Sequence, residues 1–165
     1  MNIRPVKHLV IAALLVFSFV FISSQLQAQF TPTPIASALS IPEAQWLKPE
    51  ALVHMQQTKG ADKPLVFQVG SRMLFAQAHI PGSEYIGPGS QPAGIQQLQN
   101  RVSALPRKKL IVLYCGCCPL SRCPNLGPAF AKLGEMGFTN VKVLYLADNF
   151  GADWADKGFP VEKGN

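Results

Sequence analysis

From residue 49 onward the chain switches repeatedly between apolar residues at helical spacing and short continuous apolar runs. PEALVHMQQ, Pro49 to Gln57, has helix character, with proline in the first turn where its missing N–H costs nothing. PLVFQV, Pro64 to Val69, is β-branched and apolar and stops at Gly70, so it reads as a strand. HIPGSEYIGPG supplies two turns around a short strand at Tyr85 and Ile86. GIQQLQNRVSAL, Gly94 to Leu105, sets Ile95, Leu98, Val102 and Leu105 at helical spacing. KLIVLYC ends at Cys115 and is the most apolar run, as a strand covered on both faces should be. NLGPAFAKLGEMGF offers Asn125 as N-cap, Leu126, Phe130 and Leu133 on one face, and Gly137 as the stop. NVKVLYL, Asn140 to Leu146, is the next strand, and NFGADWADKG predicts a last short helix. Strands separated by helices predict an α/β fold with a mainly parallel central sheet and helices on both faces. In such sheets ligands bind at the carboxyl ends of the strands, which is where Cys115 falls.

The first 45 residues follow a different pattern. Arg4 and Lys7 precede an apolar stretch from Leu9 through Ile22, and the polar SSQLQAQ follows. That order is the pattern of a secretory signal, residues 1–28, with Ala28 before the cut. An uncleaved anchor is the competing reading, but the apolar core falls short of the roughly 20 residues that span a bilayer. Residues 29–45, which begin QFTPTPIASALSIP, read as a tether, and 46–165 as one folded domain. The expected location is exported, either periplasmic or secreted, with membrane contact only through the signal before cleavage. The formal charge of +6 loses Arg4 and Lys7 with the signal, and the remainder is spread without a basic run. Such a balance argues against nucleic acid and weakly favours small anionic molecules.

All four cysteines lie in YCGCCPLSRCPN, Tyr114 to Asn125, and this is where the candidate chemistry concentrates. Three uses of these thiols compete. In an exported protein four cysteines commonly form disulfides, with three possible pairings, but adjacent Cys117 and Cys118 make a strained pair and the loops closed are short. A metal site through Cys115, Cys117, Cys118 and Cys123 would suit soft Cu(I) better than Zn(II), whose ligand pairs prefer wider spacing. The third use is thiolate chemistry, with Cys115 as nucleophile and Cys117, Cys118 and Cys123 as resolving thiols. That use needs no cofactor. His79 is read as fixing a turn and His54 as a surface residue. Phe150 and Trp154 are read as packing against the end of the sheet.

Four short motifs in order carry a resemblance. QVG at Gln68 to Gly70 is followed by HIPGS at His79 to Ser83, then by a strand ending in Tyr114 and Cys115. Gly137 and Phe138 precede NVKVL, and Trp154 precedes GFPV at Gly158 to Val161. Together they resemble the rhodanese-like family over most of the chain after the signal. The resemblance implies a sulfurtransferase of thiosulfate or persulfide type, in which Cys115 takes a sulfane sulfur from a small anionic donor and passes it to a nucleophile. It also implies a donor-binding loop, here Gly116, Ser121 and Arg122, and a possible thiol redox partner. A non-enzymatic soft-metal module on the same fold is the alternative. The sequence departs from the family's DVR motif, with Gln68 and Gly70 in place of the acid and the arginine, which removes a charge pair near the site. Pro119 and Pro124 remove two N–H donors from the loop.

Overall fold

The computed structural model describes residues 41–57, 60 and 63–164. Residues 1–28, expected to be a signal, and residues 29–40 of the expected tether lie outside the described residues. Among the described residues no helix is long and apolar enough to cross a membrane.

A 3-10 turn, Glu43–Gln45, leads into β1 (Trp46–Leu47) and α1 (Pro49–Gln56). β2 (Leu65–Gln68), α2 (Arg72–Gln77), β3 (Glu84–Tyr85) and α3 (Pro92–Val102) follow. β4 (Ile111–Tyr114), a 3-10 turn at Leu120–Arg122, α4 (Leu126–Glu135) and β5 (Val141–Leu144) come next, then one π-helical turn at Gly151–Ala155. The five strands lie in the order β1-β5-β4-β2-β3 and every pairing is parallel. The expected α/β architecture with a parallel sheet is therefore the observed one. Two elements escaped the pattern reading. β1 is only two residues long and pairs Trp46 with Val143, and α2 buries a single residue, Phe75. The expected last helix is the single π turn.

The period-two alternation of β4 decides which side of the sheet each residue serves. Ile111 and Leu113 join Phe67, Val69 and Val143 against Leu98 and Val102 of α3 and Leu126, Ala129 and Leu133 of α4. Val112 and Tyr114 join Val66 and Leu144 on the opposite face, against Leu52 of α1 and against Phe150 and Trp154. β4 is buried at every position, which explains its unbroken apolar run. Continuing the alternation by one residue carries Cys115 to the α3 and α4 face, where it is 1 % exposed.

Gly137 ends α4 as the sequence predicts. Its φ of +83° is a conformation that favours glycine, and Phe138 N–H returns to the carbonyl of Leu133 at 3.0 Å. His79 fixes a turn, as expected. Its Nδ1–H donates to the Phe75 carbonyl at 2.9 Å, its ring stacks on Phe75, and its backbone pairs with Glu162 in both directions. His54 is exposed on α1.

Candidate active site

The chain leaves β4 through Cys115 and turns at Gly116, whose φ is +87°. A side chain there would be strained, and its Cβ would stand 3.2 Å from Cβ of Phe150. Phe150 N–H donates to the Gly116 carbonyl at 3.0 Å and so ties the cysteine loop to the segment after β5.

The backbone of Cys115 is held by Gln68. Gly70 N–H, which can only donate, points at Gln68 Oε1 at 3.1 Å, so the amide nitrogen must face the other way. That nitrogen donates to the carbonyls of Cys115 at 3.0 Å and Ser71 at 3.3 Å. The departures at Gln68 and Gly70 thus work together. A Cβ at Gly70 would lie 2.7 Å from the Cys115 carbonyl oxygen and 2.9 Å from its Sγ, so only glycine leaves that room. A carboxylate at position 68 could not donate to the Cys115 carbonyl and would set a second negative charge beside a thiolate.

The sulfur itself is held by Asn125, the expected N-cap residue of α4, whose side chain is used elsewhere. It stands at the N-cap position of α4 but makes no capping hydrogen bond. Instead Oδ1 accepts from Ser90 N–H at 3.1 Å and from the Ser90 hydroxyl at 2.7 Å, which leaves Nδ2 to donate to Cys115 Sγ at 3.3 Å. A Cβ at neighbouring Gly89 would sit 2.2 Å from the Asn125 carbonyl oxygen, so the two segments touch backbone to backbone.

Two of the other cysteines, Cys117 and Cys123, act on the same sulfur, and Cys118 reaches only Cys117. Cys117 Sγ lies 3.3 Å from Cys115 Sγ, and Cys118 Sγ 3.1 Å from Cys117 Sγ. Cys115 is buried, Cys118 and Cys123 are half-buried, and Cys117 is exposed. The Cys115 thiol is lowered to about 6, first by a hydrogen bond from the Cys123 thiol, against the opposing cost of burial, then by Asn125 and by the thiol and backbone N–H of Cys117. Cys117 is pushed up to about 12, by burial first and then by its sulfur neighbours. Cys123 is also raised, mainly because it donates to Cys115. The backbone N–H groups of Asn125 and Leu126, at the start of α4, act weakly against that rise. Side-chain donors therefore do most of the lowering. Only one N–H, that of Cys117, contributes directly.

Cys115 opens on a cavity of about 320 Å³. Leu74, Ala78, Phe150 and Ala155 give it an apolar wall, and the amides of Gln68, Gln77 and Asn149 give it polar contacts. Tyr114, Gly116, Cys117 and Gly151 complete the wall. Among the site residues expected from sequence, Gly116 and Cys117 reach the cavity with Cys115. Ser121 and Arg122 lie exposed on the 3-10 turn outside its lining. Phe150 both packs on the Tyr114 ring and lines the cavity, while Trp154 is fully buried beneath it. Among the described residues no group of three or more His, Cys, Asp or Glu side chains is arranged to hold a metal ion.

Because a thiolate is the reactive form, alkylation of Cys115 in reduced protein should rise through pH 6 and level off by about pH 7, far below the usual thiol range near 8.5. The depressed value also stabilises the fold above the unfolded thiol's range, and that contribution fades as pH falls toward 6. Asn125→Leu removes one donor to a charged acceptor and should move the alkylation midpoint up by about one pH unit. An unchanged midpoint would show that Asn125 does not hold the thiolate.

The family model described as the Rhodanese-like domain matches residues 48–146. No curated protein matches the chain. Among solved structures, the BH2092 protein from Bacillus halodurans is 24 % identical with a TM-score of 0.54, and the match covers 73 % of this chain and 78 % of that one. The Alr3790 protein from Anabaena sp. is 22 % identical with a TM-score of 0.52, covering 72 % and 92 %. A thiosulfate sulfurtransferase from Pseudomonas aeruginosa, 22 % identical with a TM-score of 0.52, is covered over 20 % of its length by 74 % of this chain. These structures share its fold. With the matched residues spanning more than half of its length, the chain belongs to the rhodanese-like domain family.

Proposed function

We propose that this protein carries sulfane sulfur on Cys115 and releases it through Cys117. The single observation behind the reading is a buried sulfur at the end of the central strand, surrounded by hydrogen-bond donors and open to one cavity. In the first step the Cys115 thiolate attacks the outer sulfur of a persulfide donor R–S–SH. The S–S bond of the donor breaks, R–S⁻ departs, and Cys115–S–SH remains. In the second step an external thiol can take the outer sulfur, which returns Cys115 to its thiolate. Alternatively Cys117, 3.3 Å away, attacks the inner sulfur. Its proton leaves with the sulfide as H₂S, and a Cys115–Cys117 disulfide forms. An external dithiol then reduces that bridge and becomes a disulfide itself, which is the role for a thiol redox partner. Cys117 supports the resolving role better than Cys123, because it lines the cavity whereas Cys123 packs against the core.

The expected arena is outside the cytoplasm, on the strength of the charged, apolar and polar order of residues 1–28. Amino-terminal sequencing of protein from its native location should begin near Gln29; a chain starting at Met1 in a membrane fraction would overturn export with cleavage.

Cys115→Ser should lose sulfur loading by a factor of about 100 or more, since a serine hydroxyl is far too weak an acid to serve as the nucleophile. Cys117→Ser should load normally but keep the adduct, seen as a persistent gain of about 32 mass units and at least a tenfold slower release of sulfide. Release at the parent rate from Cys117→Ser would remove Cys117 from the mechanism.

A further inference from the structure

We infer that the cavity beside Cys115 receives an uncharged or positively charged organic sulfur compound, and that a small oxyanion such as thiosulfate is a poor partner for it. The inference deepens the sulfur-transfer reading and rests on it for the word donor, but its physical basis is the wall of the cavity. Every described residue of that wall is either neutral or a thiol. Its polar contacts are amides, which bind by hydrogen bonds to either sign of charge but do not neutralise an anion. Tyr114 is also neutral, with its hydroxyl bonded to Ser83 and to the N–H of Ile80 and its acidity pushed down by burial to a pKa of about 12.

The charge that is present nearby has the wrong sign for an anion. Cys115 itself carries one negative charge at neutral pH. The segment that supplies Asn149, Phe150, Gly151 and Ala155 to the wall also carries Asp148, Asp153 and Asp156 against a single Lys157. The Asp153 carboxylate is fixed there by the backbone N–H groups of Asp148 and Asn149, at 2.7 and 3.0 Å. Arg122, the cation of the cysteine loop, lies on the exposed turn away from the wall, and Arg72 is engaged over the ring of Tyr85. An oxyanion approaching a thiolate through this wall meets repulsion, and no residue of the wall is a cation to offset it. An apolar or cationic group meets a wall of suitable size, since small-molecule sites begin at about 300 Å³.

The test uses methanethiosulfonates of three charges: trimethylammonioethyl, methyl and sulfonatoethyl. In each, the thiolate attacks the sulfenyl sulfur and displaces methanesulfinate, so the chemistry is constant and only the charge varies. Modification of Cys115 in reduced protein is followed by fragment-resolved mass spectrometry, and each rate is divided by that of 2-mercaptoethanol. The cationic and neutral reagents should exceed the anionic one at least tenfold. Gln77→Arg, an exposed wall position on α2, should shrink that ratio at least fivefold. Equal normalised rates for the three reagents, or no response to Gln77→Arg, would overturn the inference. The same ordering should hold when thiosulfate is compared with an organic persulfide that carries an ammonium group and so has no net negative charge, and faster loading from thiosulfate would also overturn it. If neither donor loads Cys115 while the reagents keep their order, the sulfur-transfer proposal falls and the charge preference of the cavity stands.

Discussion

One hydrogen-bonded amide, that of Asn125, ties the reactive sulfur to the rest of the fold. Its orientation is fixed because Ser90 N–H can only donate, so Oδ1 must face Ser90 and Nδ2 must face Cys115. Ser90 follows β3, Asn125 opens α4 and Cys115 ends β4, so a single side chain joins three segments that meet only in the folded state. Gly89 permits this by letting its backbone press against the carbonyl of Asn125. On the other side Gln68 does the same for the Cys115 backbone, again with both ends of the amide assigned by an N–H that can only donate. The thiolate is thus held by neutral donors. Such a site pays no desolvation cost for a second buried ion, which is the expensive part of a buried charge pair.

That choice separates the site from the protein's overall charge. The chain is basic as a whole, yet the wall around Cys115 is neutral and the segment beside it acidic. Net charge describes long-range encounter, whereas selection at the sulfur depends on what lies within a few ångströms of it. The replacement of an acid and an arginine by Gln68 and Gly70 belongs with this. The glycine makes room for the sulfur and the carbonyl of Cys115, and the glutamine supplies both a donor and an acceptor.

Much of this was legible in the sequence, for identifiable reasons. The buried strand ending at Cys115 showed as an unbroken apolar run because helices cover both of its faces. Gly137 was legible because a helix stop needs a positive φ, and His79 because its motif sits in a turn. Asn125 was legible as the N-cap residue, but the use of its side chain was not. An asparagine before a helix reads as a cap from local spacing, while its actual partner Ser90 lies 35 residues away and leaves no local trace. Ser121 and Arg122 belong to the loop that the resemblance assigns to donor binding, but the 3-10 turn sets them outside the cavity wall. The wall itself draws on α2 and on the segment after β5, and α2 was too short and too exposed to show a helical period. What pattern cannot carry here is the meeting of distant loops, and the amides Gln77 and Asn149 were missed for that reason.

The account depends most on Cys115 being the sulfur that reacts first, despite being the most buried of the four. Fully reduced protein treated briefly at pH 7 with less than one equivalent of an organic persulfide that carries an ammonium group, then quenched and fragmented, reports which cysteine gains about 32 mass units before any exchange. The account predicts that the added sulfur appears first on Cys115 and only later leaves a Cys115–Cys117 bridge. Sulfur appearing first on the exposed Cys117 or on Cys118, or spread evenly over the loop, would contradict it.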